Sequence, residues 1–202
     1  MYTSKLQDFS VFRPLDMFST HDTSPIGYGI RLGETGFDFK KASNPNVVNH
    51  SGILYPIGIK NIQYFAAEVT GGGITLNSIE RYRKNDNNRI VSVYRWNGWE
   101  NKAVYESAID YMAYFIRVRQ ESGYDPIGAL ASAPVIAKLF PWLKGDDSKE
   151  FCSEDVYTFG KLFGMVYPMD WITRKPNPLM LDQWWSSHAD FTLIYSDYRT
   201  KL

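Results

Sequence analysis

The chain has 202 residues, 44% of them hydrophobic and 16% aromatic, which suits one globular domain with a substantial core rather than a disordered segment. Lys+Arg and Asp+Glu are equal at 22 each, so there is no broad electrostatic footprint for nucleic acid or an anionic membrane. One cysteine, Cys152, excludes an intrachain disulfide framework and any multi-cysteine zinc site.

Residues 1–25 mix aromatics with Ser, Thr, Asp and Pro without a sustained period, and read as an irregular N-terminal arm anchored by Phe9, Phe12, Leu15 and Phe18. The first ten residues lack the apolar run of a signal peptide, and no stretch reaches the ~20 apolar residues of a membrane span. The expectation is a soluble protein, cytoplasmic or carried in a particle such as a phage virion. His21 in this arm reads as a solvent-exposed or capping residue.

Gly27 to Leu32 reads as a short strand and Gly33 to Asn46 as a loop rich in turn formers. Asn49–Tyr55 and Ile62–Val69 follow as paired strands joined through Pro56 to Asn61. If that hairpin is symmetric about Ile59, His50 stands directly opposite Glu68, within reach of an imidazole–carboxylate hydrogen bond. A one-residue slip in register would put them on opposite faces.

Thr70-Gly71-Gly72-Gly73 allows a tight turn or a close approach to a ligand, but it lacks the Gly-Lys-Ser/Thr ending of a phosphate loop. Arg81 to Arg89 reads as a charged, solvated turn before a strand at Ile90–Arg95. Val104, Ala108, Tyr111 or Met112, and Phe115 recur at helical spacing, predicting an amphipathic helix over 102–119. A second helical region spans about 126–140, and Gly145 to Ser148 is a loop. The acids at 146, 147 and 150 lack a calcium-loop spacing.

The stretch from Phe151 to Gly164 places Cys152, Val156, Phe159 and Phe163 at i, i+4, i+7 and i+11, on one helical face. Cys152 then occupies the first turn, where free N–H groups and the helix dipole favour a thiolate. A short helix at Leu179–Ser187, where Trp184 and Trp185 pack against the sheet, and a strand at Phe191–Tyr195 close the chain. His188 reads as a surface residue. His21, His50 and His188 have no metal-ligand spacing, and no cofactor is expected.

Three segments together point further: Asn49-His50-Ser51-Gly52-Ile53-Leu54, Ala67-Glu68-Val69-Thr70-Gly71-Gly72-Gly73-Ile74 and Phe151-Cys152-Ser153-Glu154. With Tyr124-Asp125-Pro126-Ile127-Gly128 and Pro178-Leu179-Met180-Leu181, their order resembles the circularly permuted papain-fold cysteine hydrolases. These are relatives of the NlpC-type peptidases and of lecithin retinol acyltransferase. The resemblance covers roughly residues 27–185. Two features depart from it: the Gly-Asp pair that commonly opens the first strand is missing around Ile26 to Gly29, and Asp155 replaces an aliphatic residue.

The resemblance implies an α+β fold of permuted papain-like type, with an antiparallel sheet packed against the helix carrying the cysteine. It implies Cys152 as nucleophile, His50 as base and Glu68 as the group orienting the imidazole. Tyr124 and Ser153 are candidate substrate contacts, Ser153 also suiting a helix start. The activity implied is cleavage of an amide bond, peptide or isopeptide and possibly a cell-wall peptide, through a thioester. The alternatives are a lipid acyl hydrolase or acyltransferase, and a non-catalytic binding or structural module retaining the fold.

Overall fold

The computed structural model describes residues 9–57, 63–70, 73–83, 88–120, 123, 125–133, 138–139, 142, 151–172 and 175–198. Tyr124, Gly71, Gly72, most of the hairpin connection at 58–62, and the loop at Gly145–Ser148 lie outside them. The fold is α+β, built on a six-stranded antiparallel sheet. In chain order the strands are β1 (Met17–Asp22), β2 (His50–Ile57), β3 (Gln63–Thr70), β4 (Gly73–Ser78), β5 (Asn88–Trp96) and β6 (Phe191–Ser196). They lie in the order β4-β3-β2-β1-β5-β6.

Seven α-helices occur among the described residues, two of them single turns. They are α1 (Pro25–Glu34), α2 (Phe39–Ala42), α3 (Glu80–Arg83), α4 (Lys102–Arg119), α5 (Pro126–Ala131), α6 (Cys152–Leu162) and α7 (Pro178–Ser187). The helix expected at 102–119 is α4, and the cysteine stretch forms α6. The second helical region appears as α5, shorter than expected within the residues described.

The largest correction concerns the N-terminal arm. Its Met17–Asp22 segment is β1, hydrogen-bonded on both sides to β2 and β5 near the middle of the sheet. A strand buried on both faces shows no alternation in the sequence, and β1 also carries the fully buried polar residues Ser19 and Thr20. His21 is buried rather than exposed: its Nδ1 lies 2.8 Å from the Val47 carbonyl. Burial pushes its pKa down to about 4, so it is a neutral structural residue.

The segment expected as a strand at Gly27–Leu32 is instead helix α1. Ser24 caps it through the Gly27 N–H, and Pro25 occupies its first turn. Gly27 is required there because an added Cβ would lie 2.3 Å from the Asn49 amide nitrogen and 2.7 Å from the Asp22 carbonyl. Close packing of the helix start against β1, rather than strand flexibility, explains that glycine.

The sheet separates two apolar clusters. On one face Met17, Ile53, Ala67, Val69, Ile74 and Tyr94 pack with Cys152, Val156 and Phe159 of α6, Met112 and Phe115 of α4, and Leu181 and Trp185 of α7. On the other, Phe12, Phe18, Leu54, Ala66, Ile79, Tyr82, Ile90 and Val93 form a smaller cluster. Trp185 is fully buried and Trp184 packs beside Trp171, so this pair belongs to the core. Gly73, with φ +108°, lets the β3–β4 hairpin pass under the end of α4, where a Cβ would meet the Gln120 carbonyl oxygen at 2.5 Å.

Candidate active site

His50 opens β2 and Glu68 lies near the end of β3. The register runs from Ile53↔Ala67 to Ile57↔Gln63, two residues away from the symmetric hairpin expected about Ile59. His50 and Glu68 are therefore diagonal neighbours rather than directly opposed. A shift of two preserves the face of every side chain, whereas a shift of one would have separated them. His50 Nε2 and Glu68 Oε2 are 2.5 Å apart.

Glu68 is almost completely enclosed, with 1% of its side chain exposed, yet it is richly provided with donors. The Tyr82 hydroxyl donates to Oε2 alongside His50. Asn77 Nδ2 donates to Oε1 at 2.8 Å, and Arg81 Nη1 reaches the same oxygen at 3.2 Å. Burial alone would raise the Glu68 pKa; the neighbouring imidazole, the Tyr82 hydroxyl and Arg81 reverse that and hold it below the ordinary value. The turn expected as solvated thus supplies Arg81 and Tyr82 to the site. Arg89, expected in the same turn, is buried and paired with Asp197 at 3.0 Å.

Cys152 is the first residue of α6 and only 2% exposed. Phe151 precedes it in extended conformation and offers no side-chain cap. Strand alternation puts Glu68 on the face of Ala66 and Tyr82, opposite the face that α6 covers. His50, as the first residue of its strand, reaches the helix start from the end of the sheet. Its ring bonds Glu68 and lies close enough to Cys152 for both to act on its pKa. With Nε2 facing Glu68, the nitrogen left for the sulfur is Nδ1.

Burial would push the His50 pKa down. Cys152 and the Glu68 carboxylate, which accepts from the ring, more than offset this and raise it to about 10. The protonated imidazole is thus the resting form at neutral pH, held between two partners that favour it.

Ser153 is fully buried and its hydroxyl donates to the Pro176 carbonyl at 2.8 Å. That bond ties the start of α6 to the segment before α7, so Ser153 acts in packing rather than as a surface contact for substrate. Glu154 pairs with Lys175 at 3.1 Å. Asp155 is buried in the first turn, its N–H bonded to the Phe151 carbonyl.

A cleft of about 260 Å³ opens beside His50 and Glu68, with Thr20, Asn49, Arg81 and Tyr82 among its walls. Among the described residues no group of three or more His, Cys, Asp or Glu is placed to hold a metal ion, and no helix is long and apolar enough to cross a membrane.

Asn77, Arg81 and Tyr82 were not anticipated. Asn77 was accessible in principle: Glu68 pairs with Thr75, and Asn77, two residues on, shares its face. Tyr82 and Arg81 arrive from a single helical turn between strands and have no periodic signal.

No protein-family model matches the chain, and no curated protein sequence does. Among solved structures, the metalloprotein yiiX from Escherichia coli O157:H7 (DUF1105) is similar in fold. The TM-score is 0.54 at 14% identity, over 93% of this chain and 98% of that one.

Proposed function

We propose that this protein is a cysteine-dependent acyl-transfer enzyme of permuted papain-like arrangement, with Cys152 as nucleophile, His50 as proton carrier and Glu68 as the orienting carboxylate. The observation that supports the reading is the His50 imidazole, bonded to Glu68 at 2.5 Å and close enough to Cys152 for the cysteine to act on its pKa. The order of elements also supports it, since the hairpin bearing His50 and Glu68 precedes the helix bearing Cys152.

In this mechanism the sulfur attacks a carbonyl carbon, and the tetrahedral oxyanion forms near the backbone N–H of Cys152 at the free end of α6. Protonated His50 then gives its Nδ1 proton to the leaving group. Glu68 fixes the ring with Nε2–H toward itself, which leaves Nδ1 for the chemistry. Water, deprotonated by neutral His50, cleaves the thioester and regenerates the site. An amide is the substrate class proposed, a peptide or isopeptide, with a lipid acyl ester as the alternative acyl donor.

A second reading, a module that keeps the fold without catalysis, is favoured by one observation, the 2% exposure of Cys152. Alkylation of Cys152 by iodoacetamide across pH separates the two. The enzyme reading expects fast alkylation near pH 6, slowed about tenfold or more in His50→Ala, since one unit of pKa is worth a factor of ten. A single inflection at the ordinary thiol value of ~8.5, unchanged in His50→Ala, would sink it.

A further inference from the structure

The cleft beside His50 and Glu68 has walls from four neighbouring strands and two helices, and the chemistry above uses only those two residues. Thr20 stands directly opposite His50 in the β1–β2 ladder, and Asn88 directly opposite Asp22 in the β1–β5 ladder. These side chains therefore share one face of the sheet with Glu68. Ile26 and Ile30, one turn apart on α1, line the same cleft, as do Arg81 and Tyr82 of α3. Cys152, on the other face, is not among its walls.

Of the charged groups in these walls, three are engaged. Glu68 holds four donors, and His50 faces Glu68. Asp22 accepts the Ser24 N–H on Oδ1 at 2.9 Å and the Ser24 hydroxyl on Oδ2 at 2.6 Å. Arg81 differs. Its Nη1 reaches Glu68 Oε1 at 3.2 Å and its guanidinium lies 5.2 Å from the centre of the Tyr82 ring, but its other N–H groups have no hydrogen-bond partner among the described residues. With 43% of its side chain exposed, Arg81 offers those donors to the cleft. A guanidinium carries five N–H groups in a rigid fork, and one held in place before a ligand arrives loses less freedom on binding.

Two more polar atoms in the walls are enclosed and have no partner among the described residues: the hydroxyl of Thr20, a fully buried residue, and Asn88 Oδ1. Each such atom left unbonded costs about 1–3 kcal/mol. An amide group relieves both, since its carbonyl accepts from Thr20 and its N–H donates to Asn88.

We propose that the cleft is a binding site for the carboxyl end of a short peptide. The terminal carboxylate meets the free edge of Arg81, backbone amides meet Thr20 and Asn88, and an apolar side chain rests on Ile26 and Ile30. From Glu68 on β3 to Asn88 on β5 is three strand spacings, about 14 Å, which an extended peptide covers in about four residues. A carboxylate brings the single negative charge that Arg81 can face. A phosphate dianion would set a second charge against Glu68, which shares that guanidinium. The site needs no nucleophile, so it stands or falls separately from the acyl-transfer reading.

The test titrates the intact chain with acetyl-Ala-Ala-Val and with its C-terminal amide, following backbone N–H chemical shifts. The acid is expected to bind in the millimolar range, with shifts centred on Thr20, Gly27, Arg81 and Asn88, and the amide at least tenfold more weakly. Arg81→Gln should weaken the acid about tenfold and leave the amide within about twofold, a selectivity that a purely structural role would not produce. Because Arg81 also touches Glu68, Ile26→Asp is the second variant. It places an acid in the first turn of α1, which suits a helix start, and should weaken the acid at least threefold while sparing the amide.

Acid and amide binding alike, shifts centred away from the cleft, or no binding by wild type would overturn the proposal. Inorganic phosphate binding at the same residues as tightly as the peptide acid would overturn the carboxylate. N-acetylvaline is expected to bind at least fivefold more weakly than the tripeptide, and equal affinity would overturn the peptide.

Discussion

Two glutamates with enclosed carboxyl oxygens, Glu68 and Glu34, have opposite surroundings. Glu68 is surrounded by donors: the imidazole and the Tyr82 hydroxyl meet one oxygen, Asn77 and Arg81 the other. Among the described residues, Glu34 has one backbone N–H on one oxygen and no hydrogen-bond partner on the other. Burial raises the pKa of both, but only Glu68 has enough donors and positive charge to reverse the effect. Environment alone thus pushes the pKa values of two like carboxyls in opposite directions. Removing or weakening either member tests that separation.

The largest effect is expected from Glu68→Gln. It keeps the shape but removes the charge that Arg81 and protonated His50 face in an enclosed site. Breaking a buried ion pair from one side costs about 3–5 kcal/mol, so urea unfolding at neutral pH should show a loss of about 3 kcal/mol. The His50 pKa should fall from about 10, because one of its two negative partners is gone. A loss under about 1 kcal/mol would mean that solvent, not Glu68, compensates these cations.

Glu34→Gln should move stability the other way. The folded pKa of Glu34 lies above its ordinary value of 4.5, so the wild type holds a proton that the unfolded chain releases. Its contribution is complete below pH 4.5 and is lost as pH rises toward the folded value, with a slope of at most about 1.4 kcal/mol per pH unit. The glutamine variant has no such loss. The stability difference in favour of Glu34→Gln should be smallest near pH 4 and widen through neutrality. A difference that does not change with pH would show Glu34 to be ionised in the fold, contrary to the contrast with Glu68.

How far the sequence reveals this pair depends on what each residue's neighbours leave in the pattern. Cys152, Val156 and Phe159 repeat at helical spacing, so α6 and the position of its cysteine are legible. His50 and Glu68 lie on strands of one hairpin, and parity alone places them on a common face even with the register two residues off. Glu34 gives no such signal. It ends a helix whose glycines imitate a strand, and its partner Leu179 is more than a hundred residues away. β1 is hidden for a related reason, since Ser19 and Thr20 occupy the middle of the sheet and erase the apolar run expected of a central strand. Polar residues buried by tertiary contacts are indistinguishable in sequence from exposed ones. The Ser24-Pro25 pair was the local sign of a helix start, and it outweighs the glycines that follow.

The smallest effect comes from Tyr82→Phe, and it probes the contrast most finely. The substitution removes one of two donors to Glu68 Oε2 and leaves the ring packed against Phe18, whose centroid is 5.8 Å away. A hydrogen bond to a charged group contributes about 1.5–3 kcal/mol, and His50 remains on the same oxygen, so the loss at neutral pH should lie near the lower end. With one donor fewer, the folded pKa of Glu68 rises toward the ordinary 4.5, one step along the path that separates it from Glu34. Stability owed to a depressed carboxylate pKa is present above the unfolded value and is lost as pH falls through the folded one. Tyr82→Phe has less of this stability to lose, so its deficit should shrink as the solution is acidified below pH 4.5. A deficit constant from neutral to acid pH would mean that the hydroxyl contributes to packing but not to the charge state of Glu68. The donors to Glu68 would then be unequal, with the imidazole and Arg81 alone keeping it ionised.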